Sequence, residues 1–280
     1  MIIKAPAKIN LFLEVLNKRK DGYHNIETLF LKIKLFDKLK LRLRKTGIII
    51  SCKHPDVPEN ESNLVYKAAE LLQKKTGTHK GVYISIEKNI PVFAGLGGGS
   101  SDAAAVLIGL NELWELNLDQ KELLSLALKI GADVAFFVTD YNMAIGKLRG
   151  DKFTPLDIDQ KFWVLLVKPN ISVSTKQVYQ GLSPSLTMPR NDVKLLVHAL
   201  KSKNMEMIEK TLFNRLEIVV FKQFKEIKEI KEMISARGVR AVLMSGSGSA
   251  IFGLLNNRKE AIKLKQQFQD AYEVMVVRSI

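Results

Sequence analysis

Four glycines and two serines run through Pro91-Val92-Phe93-Ala94-Gly95-Leu96-Gly97-Gly98-Gly99-Ser100-Ser101-Asp102, directly ahead of the apolar stretch Ala103-Ala104-Ala105-Val106-Leu107. Glycine lets backbone N–H groups face a ligand with no Cβ in the way, and a helix start adds unpaired N–H donors with a positive dipole end. The chemistry this offers is capture of a di- or triphosphate. A plain turn capped by Ser101 or Asp102 would need one glycine or two. No Lys-Ser/Thr pair follows as in a Walker A loop, no G-x-G-x-x-G spacing is present, and the H-R-D and D-F-G sets of protein kinases are missing.

Three further groups stand out. Ser245-Gly246-Ser247-Gly248-Ser249 joins two apolar segments, and its small residues permit close backbone approach to a ligand or to the glycine loop, or simply a tight hairpin. Lys8 and Asn10 share one face of an otherwise apolar strand; alternation sends such groups to water unless a site needs them. Asp133 is the lone charge between Ile130 and Val138, so it is a helix cap, half of an ion pair, or a catalytic carboxylate.

These residues need a scaffold, and the chain predicts one of α+β type. Residues 7–16 read as a strand, Lys20-Asp21-Gly22 as a turn, and residues 38–44 as a half-buried strand alternating basic and Leu positions. Its basic face is either solvated or a grip for a nucleic-acid backbone. A helix over 63–75, capped by Ser62 or Asn63 and stopped by Gly77, would bury Leu64, Ala68, Leu71 and Leu72. A strand over 83–86 leads into the glycine loop, and helices over 101–113 and 120–130 follow, the second between Asp119 and Gly131. Farther on, the pattern gives a strand at 163–167, helices at 193–201, 205–216 and 221–236, strands at 241–245 and 250–255, a helix at 258–269 and a last strand at 274–277. Residues 146–159 and 181–190 are the least periodic, and the first of these is taken as the boundary between domains 1–150 and 151–280.

Composition bounds the function. With 280 residues, 46% hydrophobic and 26% charged, the chain reads as a packed globular protein, not a disordered, collagenous or membrane-embedded one. A formal charge of +14 favours anionic partners such as nucleic acid, acidic membrane surface or phosphorylated small molecules. Cys52 alone allows no intramolecular disulfide or cysteine-based zinc site, and His24, His54, His79 and His198 lack metal-ligand spacing. Lys4 and Lys8 interrupt the first apolar stretch, so no signal peptide is read and the chain is expected to start at Met1. The longest uncharged run, 241–257, is broken by the Ser-Gly repeat and does not read as a membrane span. A cytoplasmic location is expected.

Taken in order along the chain, Pro-Ala-Lys-Ile-Asn, the Pro91 to Asp102 loop, Gly131-Ala132-Asp133-Val134 and Ser-Gly-Ser-Gly-Ser resemble the motifs of the GHMP kinases, over essentially the whole length. The opening, Ala7-Lys8-Ile9-Asn10-Leu11-Phe12-Leu13 with Asp21-Gly22-Tyr23-His24, is similar to the branch of that family acting on a cytidyl diphosphate sugar alcohol. The resemblance implies ATP-dependent phosphorylation of that substrate's 2-hydroxyl, with ATP and Mg²⁺ as cofactors and no nucleic-acid or membrane partner. It implies a ribosomal-S5-like N-terminal ATP-binding domain and a smaller α/β C-terminal substrate domain.

Position by position, the resemblance makes Lys8 and Asp133 the catalytic pair. Lys8 would hold Asp133 and the acceptor hydroxyl and screen the travelling phosphoryl group, while Asp133 would orient the hydroxyl and accept its proton. Gly95, Leu96, Gly97, Gly98, Gly99, Ser100 and Ser101 would wrap the ATP phosphates, with Pro91 also in the ATP-binding set and Ser101 reaching Mg²⁺. Asn63 and Lys88 would lie near the adenosine. Tyr23 and Tyr179 would sandwich the cytosine, His24 would bond its edge, and Asn10, Phe30 and Thr175 would line the rest of the pocket. Two departures stand out: Ala135 replaces the proline that usually follows on the family's catalytic strand, and the family's Gly-x-Gly-Glu-like turn reads Gly146-Lys147-Leu148-Arg149-Gly150-Asp151. The competing readings are a GHMP kinase for homoserine, mevalonate or a sugar, and a basic nucleic-acid-binding module.

Overall fold

The computed structural model describes residues 1–182 and 192–280. In chain order the elements are β1 (Ile2–Lys18), β2 (His24–Arg44), β3 (Ile48–Cys52), α1 (Leu64–Thr76), β4 (Gly81–Glu87), α2 (Gly98–Leu113), α3 (Gln120–Ile130), α4 (Ala132–Val138), β5 (Met143–Lys147) and β6 (Lys152–Pro155). They continue with β7 (Trp163–Lys168), α5 (Thr175–Gln180), α6 (Val193–Lys201), α7 (Met205–Thr211), β8 (Phe213–Asn214), α8 (Glu217–Gln223), α9 (Lys225–Ala236), β9 (Ala241–Met244), β10 (Ile251–Leu255), α10 (Arg258–Phe268) and β11 (Glu273–Arg278). The mixture is α+β. The chain folds into two compact units interleaved in sequence: Met1–Ala7, Leu35–Val92 and Gly97–Tyr141 in the first, and Lys8–Lys34, Phe93–Leu96 and Asn142–Ile280 in the second.

In the first unit, β2 pairs antiparallel with β4, and β4 pairs parallel with β3. The alternation in β2 does what its pattern demands, burying Leu39 and Leu41 while Lys38, Lys40 and Arg42 stay exposed. Helices α1, α3 and α4 pack against α2, whose run of small residues from Ala103 to Ala105 is buried throughout. Asp119 and Glu122 close a capping box at the start of α3.

In the second unit, β5 pairs with β2 at Thr28–Leu31, β6 with β5, and the two-residue β8 lies parallel to β1 with Phe213 opposite Phe12 and Asn214 opposite Leu13. A separate four-stranded sheet runs β11-β7-β10-β9, antiparallel throughout. Its apolar face joins Leu216, Val220, Ile227, Ile230, Leu264 and Phe268 in one core. Among the described residues no helix is long and apolar enough to cross a membrane.

Several expectations need correcting. The buried stripe of α1 is Val65, Ala68, Ala69 and Leu72, so Leu64 and Leu71 lie at its margins. The segment around Asp133, a catalytic strand by the resemblance, is helix α4 with Gly131 as its N-cap, because a short apolar run carries no periodicity to separate strand from helix and packing against α2 and α3 decides. The aperiodic 146–159 holds the turn and second strand of the β5–β6 hairpin, with Leu148 and Gly150 at positive φ. Segment 205–216 is helix only to Thr211 and then adds β8 to β1. Segment 221–236 is broken at Phe224, whose extended backbone (φ −128°, ψ 86°) ends α8 and opens α9. Strand β3 and helix α5 were not foreseen, and most of the irregular stretch 181–190 lies outside the described residues.

Candidate active site

Strand β1 does not send Lys8 and Asn10 to water. Both faces of the strand are covered from Ala7 to Val15, leaving Lys8 4% and Asn10 2% exposed. A buried ammonium must be hydrogen-bonded. Lys8 Nζ donates to Asn10 Oδ1 at 2.7 Å, Asn10 Nδ2 donates to Thr28 Oγ1 at 2.8 Å, and Thr28 Oγ1 donates to the Phe12 carbonyl at 2.7 Å. The ammonium also lies 5.6 Å from the centre of the Phe30 ring, within cation–π range. This relay fixes Asn10 with its oxygen towards the ammonium and its nitrogen away.

The same unit brings two of the small-residue loops onto this strand. The Lys8 backbone N–H donates to Leu96 O at 3.0 Å. Ser245 Oγ donates to Gly95 O at 3.0 Å, and the N–H groups of Ser249 and Ala250 donate to the carbonyls of Phe93 and Ala94, each at 3.2 Å. Gly95 is required here: its φ is +74°, and a Cβ on it would stand 2.0 Å from Ser245 O. On the other loop, a Cβ on Gly246 would stand 3.3 Å from Asn10 Oδ1 and 3.4 Å from Lys8 Nζ. Thr175, on the first turn of α5, shares a hydrogen bond of 2.8 Å with Ser247. The Ser-Gly hairpin is thus both a tight turn and a wall against which the glycine loop and Lys8 rest.

In the first unit, α2 starts three residues earlier than the sequence pattern suggests, at Gly98, because Gly97 takes the left-handed backbone (φ 73°) that ends the loop. No side chain caps it, so the capping role considered for Ser101 and Asp102 is not the one they play. Both are buried in the opening turns of α2, and Ser101 Oγ and Asp102 Oδ1 have no hydrogen-bond partner among the described residues. A hydroxyl and a carboxylate oxygen are the donors a hard cation such as Mg²⁺ takes, usually alongside substrate phosphates. The described residues hold no cluster of three His, Cys, Asp or Glu side chains able to bind a metal by themselves. The donor set therefore fits Mg²⁺ carried with a nucleotide.

Lys88 is buried between two carboxylates, Asp37 and Asp102, the latter at 2.8 Å. Burial works against its charge, but the two carboxylates more than offset this and hold it above the ordinary lysine value. Burial pushes Asp102 up to about 7, Lys88 pulling the other way and Asp37 adding to the rise. Asp37 Oδ1 accepts from the N–H groups of Asn89 and Ile90, at 2.6 and 2.8 Å. Asn63 caps α1, accepting from Val65 N at 2.9 Å and donating to Pro58 O at 2.7 Å. Asp133 sits half-buried in the first turn of α4, at the positive end of the helix.

Of the aromatic residues, the second unit brings His24 and Tyr179 together, with ring centres 5.4 Å apart. Burial, with Lys18 nearby, holds His24 below the usual histidine value, so it is neutral at pH 7. Tyr23 is 61% exposed and lies under the Arg149 guanidinium at 5.4 Å. Sequence reasoning missed Asp37, Arg149, Asn214 and the buried pair Glu14–Arg215. Only Asn214 had a local signal: an Asn three residues before Glu217 is a helix-start pattern.

The family model described as "GHMP kinases N terminal domain" matches residues 63–140, and that described as "GHMP kinases C terminal" matches 196–274. Fold and loop are thus those of a kinase that phosphorylates small molecules with ATP. The chain is 42% identical over 284 residues to 4-diphosphocytidyl-2-C-methyl-D-erythritol kinase of Clostridioides difficile (strain 630), covering 99% of this chain and 94% of that protein. It is 46% identical over 259 residues to the protein of the same name from Geobacillus sp. (strain WCH70), covering 92% and 89%. A crystal structure of 4-(cytidine 5'-diphospho)-2C-methyl-D-erythritol kinase superposes with a TM-score of 0.85 at 36% identity, covering 100% of this chain and 99% of that one. The chain belongs to the GHMP kinases, and within them to the family of 4-diphosphocytidyl-2-C-methyl-D-erythritol kinases.

Proposed function

We propose that this kinase transfers the γ-phosphoryl group of ATP to the 2-hydroxyl of 4-diphosphocytidyl-2-C-methyl-D-erythritol, in the cytoplasm. The observation that carries the choice of acceptor is the ring pair His24–Tyr179. A neutral imidazole beside a phenol ring can stack on a nucleobase and bond its edge, which neither homoserine nor mevalonate would use. Tyr23, Asn10, Phe30 and Thr175 complete the substrate set in this reading. The two family models fall on either side of residue 150, which supports an ATP-binding part in 1–150 and a second part in 151–280.

Phosphoryl transfer through a loose transition state asks for positioning and charge neutralisation more than covalent chemistry. In this reading Lys8, held by Asn10, stabilises charge on the transferring group, and Asp133 orients the acceptor hydroxyl and takes its proton. Backbone N–H groups from Gly95 to Ser101 hold the phosphates, with Pro91 shaping the loop's approach. Asn63 contributes to the adenosine side through the backbone it caps, and Lys88 through the loop and helix it braces. Ser101 is the residue that would hold Mg²⁺, which when bound neutralises phosphate charge.

The test is to incubate the protein with ATP, Mg²⁺ and the cytidyl-methylerythritol and follow the phosphorus spectrum, with homoserine and mevalonate in parallel. A new phosphomonoester at the 2-position is expected only with the cytidyl substrate, and cytidine diphosphate should compete. Equal turnover of homoserine or mevalonate would overturn the choice of acceptor.

A further inference from the structure

We propose that Asn214 is a positioning residue for phosphoryl transfer, its carboxamide setting the Ser245–Ser249 loop and, through that loop, the places of the Lys8 ammonium and Gly95. This rests on the role given to Lys8 above. Asn214 is 3% exposed, and three of its hydrogen-bonding positions are used. Nδ2 donates to Met244 O at 2.8 Å and to Gly246 O at 2.7 Å, and Oδ1 accepts from Leu216 N at 3.0 Å. The two carbonyls flank Ser245, so the amide spans the point where β9 ends and the loop begins.

The far side of the loop meets the machinery. Ser245 Oγ holds Gly95 O, and a methyl group on Gly246 would press on Asn10 Oδ1 and Lys8 Nζ at 3.3 and 3.4 Å. The near side is equally fixed. Asn214 lies opposite Leu13 on β1, the strand that carries Lys8, and Arg215 N donates to Leu13 O at 2.8 Å. Asn214 therefore spaces the loop from β1 with a short, rigid side chain. Displacements of about 1 Å at a reacting group can cost about a hundredfold in rate, which is why such a spacer matters to turnover and not only to folding.

The decisive variant is Asn214→Asp. It keeps the shape and the bond from Leu216 N but replaces a two-donor NH₂ by an oxygen that donates nothing when ionised and one bond at most when protonated, so at least one of the two carbonyls loses its partner. Amide exchange without any ligand reads the clamp: peptides covering 244–250 should exchange at least about tenfold faster while the β7 and β10 amides are unchanged. Steady-state kinetics read the consequence: kcat should fall at least about tenfold with KM for ATP within about threefold, the signature of a lost transition-state interaction. Unchanged exchange in 244–250, or a loosened loop with full kcat per folded molecule, would overturn the proposal. Should this variant not fold, Gly246→Ala leaves Asn214 itself in place but strains the left-handed backbone of Gly246 (φ +54°) and puts a Cβ 3.3–3.4 Å from Asn10 Oδ1 and Lys8 Nζ, disturbing the same loop from its other side. It is expected to lower kcat with nucleotide affinity retained, and full turnover would equally overturn the idea. A wild-type protein inert towards the cytidyl substrate would count against the proposed function instead, and the exchange measurement would still decide whether Asn214 sets the loop.

Discussion

The guanidinium of Arg215 grips the carboxylate of Glu14 with two hydrogen bonds, Nε to Oε1 at 2.7 Å and Nη2 to Oε2 at 2.6 Å, and neither side chain is more than 5% exposed. Glu14 Oε1 also accepts from Val15 N at 2.9 Å, and Arg215 stacks on Phe213 at 4.7 Å. The pair docks β8 on β1, so a lattice of bonds links residues 201 positions apart in the chain.

Removing one partner of such a pair leaves an uncompensated buried charge, at a cost of about 3–5 kcal/mol, whereas removing both can be close to neutral. Arg215→Met is therefore expected to lower urea stability by about that amount, and the double variant with Glu14→Gln to recover most of it. A double variant as unstable as the single one would mean that packing, not charge, is what Arg215 provides.

The glycine loop separates structural from functional glycine. Gly95→Ala would force a Cβ to 2.0 Å from Ser245 O at a positive φ, so a loss of at least about 2 kcal/mol of stability is expected. Gly99 lies in the first turn of α2 with open space where its Cβ would be. Gly99→Ala should leave folding intact or improve it by about 0.5–1 kcal/mol, the helix preference of alanine over glycine. If the loop wraps phosphates, that same change should raise KM for ATP several-fold; a thermal melt and an ATP titration on the two variants check both halves.

What the sequence could reveal follows the range of the forces involved. Helix α3 was legible to the residue because Asp119, Glu122 and Gly131 are local end signals, and the Ser-Gly turn because five small residues between apolar strands leave little else. Strand β8 was hidden because two residues carry no period and its partner is β1, far away in the chain. Lys8 gave the wrong local signal: alternation predicts water, and only the cover on both faces of β1 reverses it. The Lys88 brace was illegible for the same reason, since Asp37 stands 51 positions away. The glycine-rich and Ser-Gly loops stand out by composition and the roles of Lys8 and Asp133 come only from the resemblance, whereas braces such as Asp37 and Arg215 stay hidden because their partners are remote in sequence.

Glu217 gives a pH dependence whose sign can be worked out. Its carboxylate accepts from Lys231 at 2.6 Å and from Met244 N at 2.9 Å, but burial outweighs both and raises it above its ordinary 4.5. A raised carboxyl stabilises the fold fully below about 4.5 and loses that contribution as pH climbs through the raised value. Urea midpoints between pH 4.5 and 7 should therefore fall less steeply for Glu217→Gln than for wild type. Identical slopes would show that Glu217 titrates alike in folded and unfolded chains.

Asp133 carries the sharpest chemical expectation. Asp133 lies in the first turn of α4, and Asp133→Asn keeps the side chain's size while removing its capacity to take a proton. If it accepts the proton of the acceptor hydroxyl, kcat should drop at least about a hundredfold, within the range for a positioned base, while a fluorescent ATP analogue binds as before. Rapid-quench single turnovers separate the two effects, since binding precedes chemistry. A variant that turns over at the wild-type rate would transfer the proton-accepting role to another group or to solvent, and one that loses nucleotide affinity as well would place Asp133 among the ligands of ATP rather than of the acceptor.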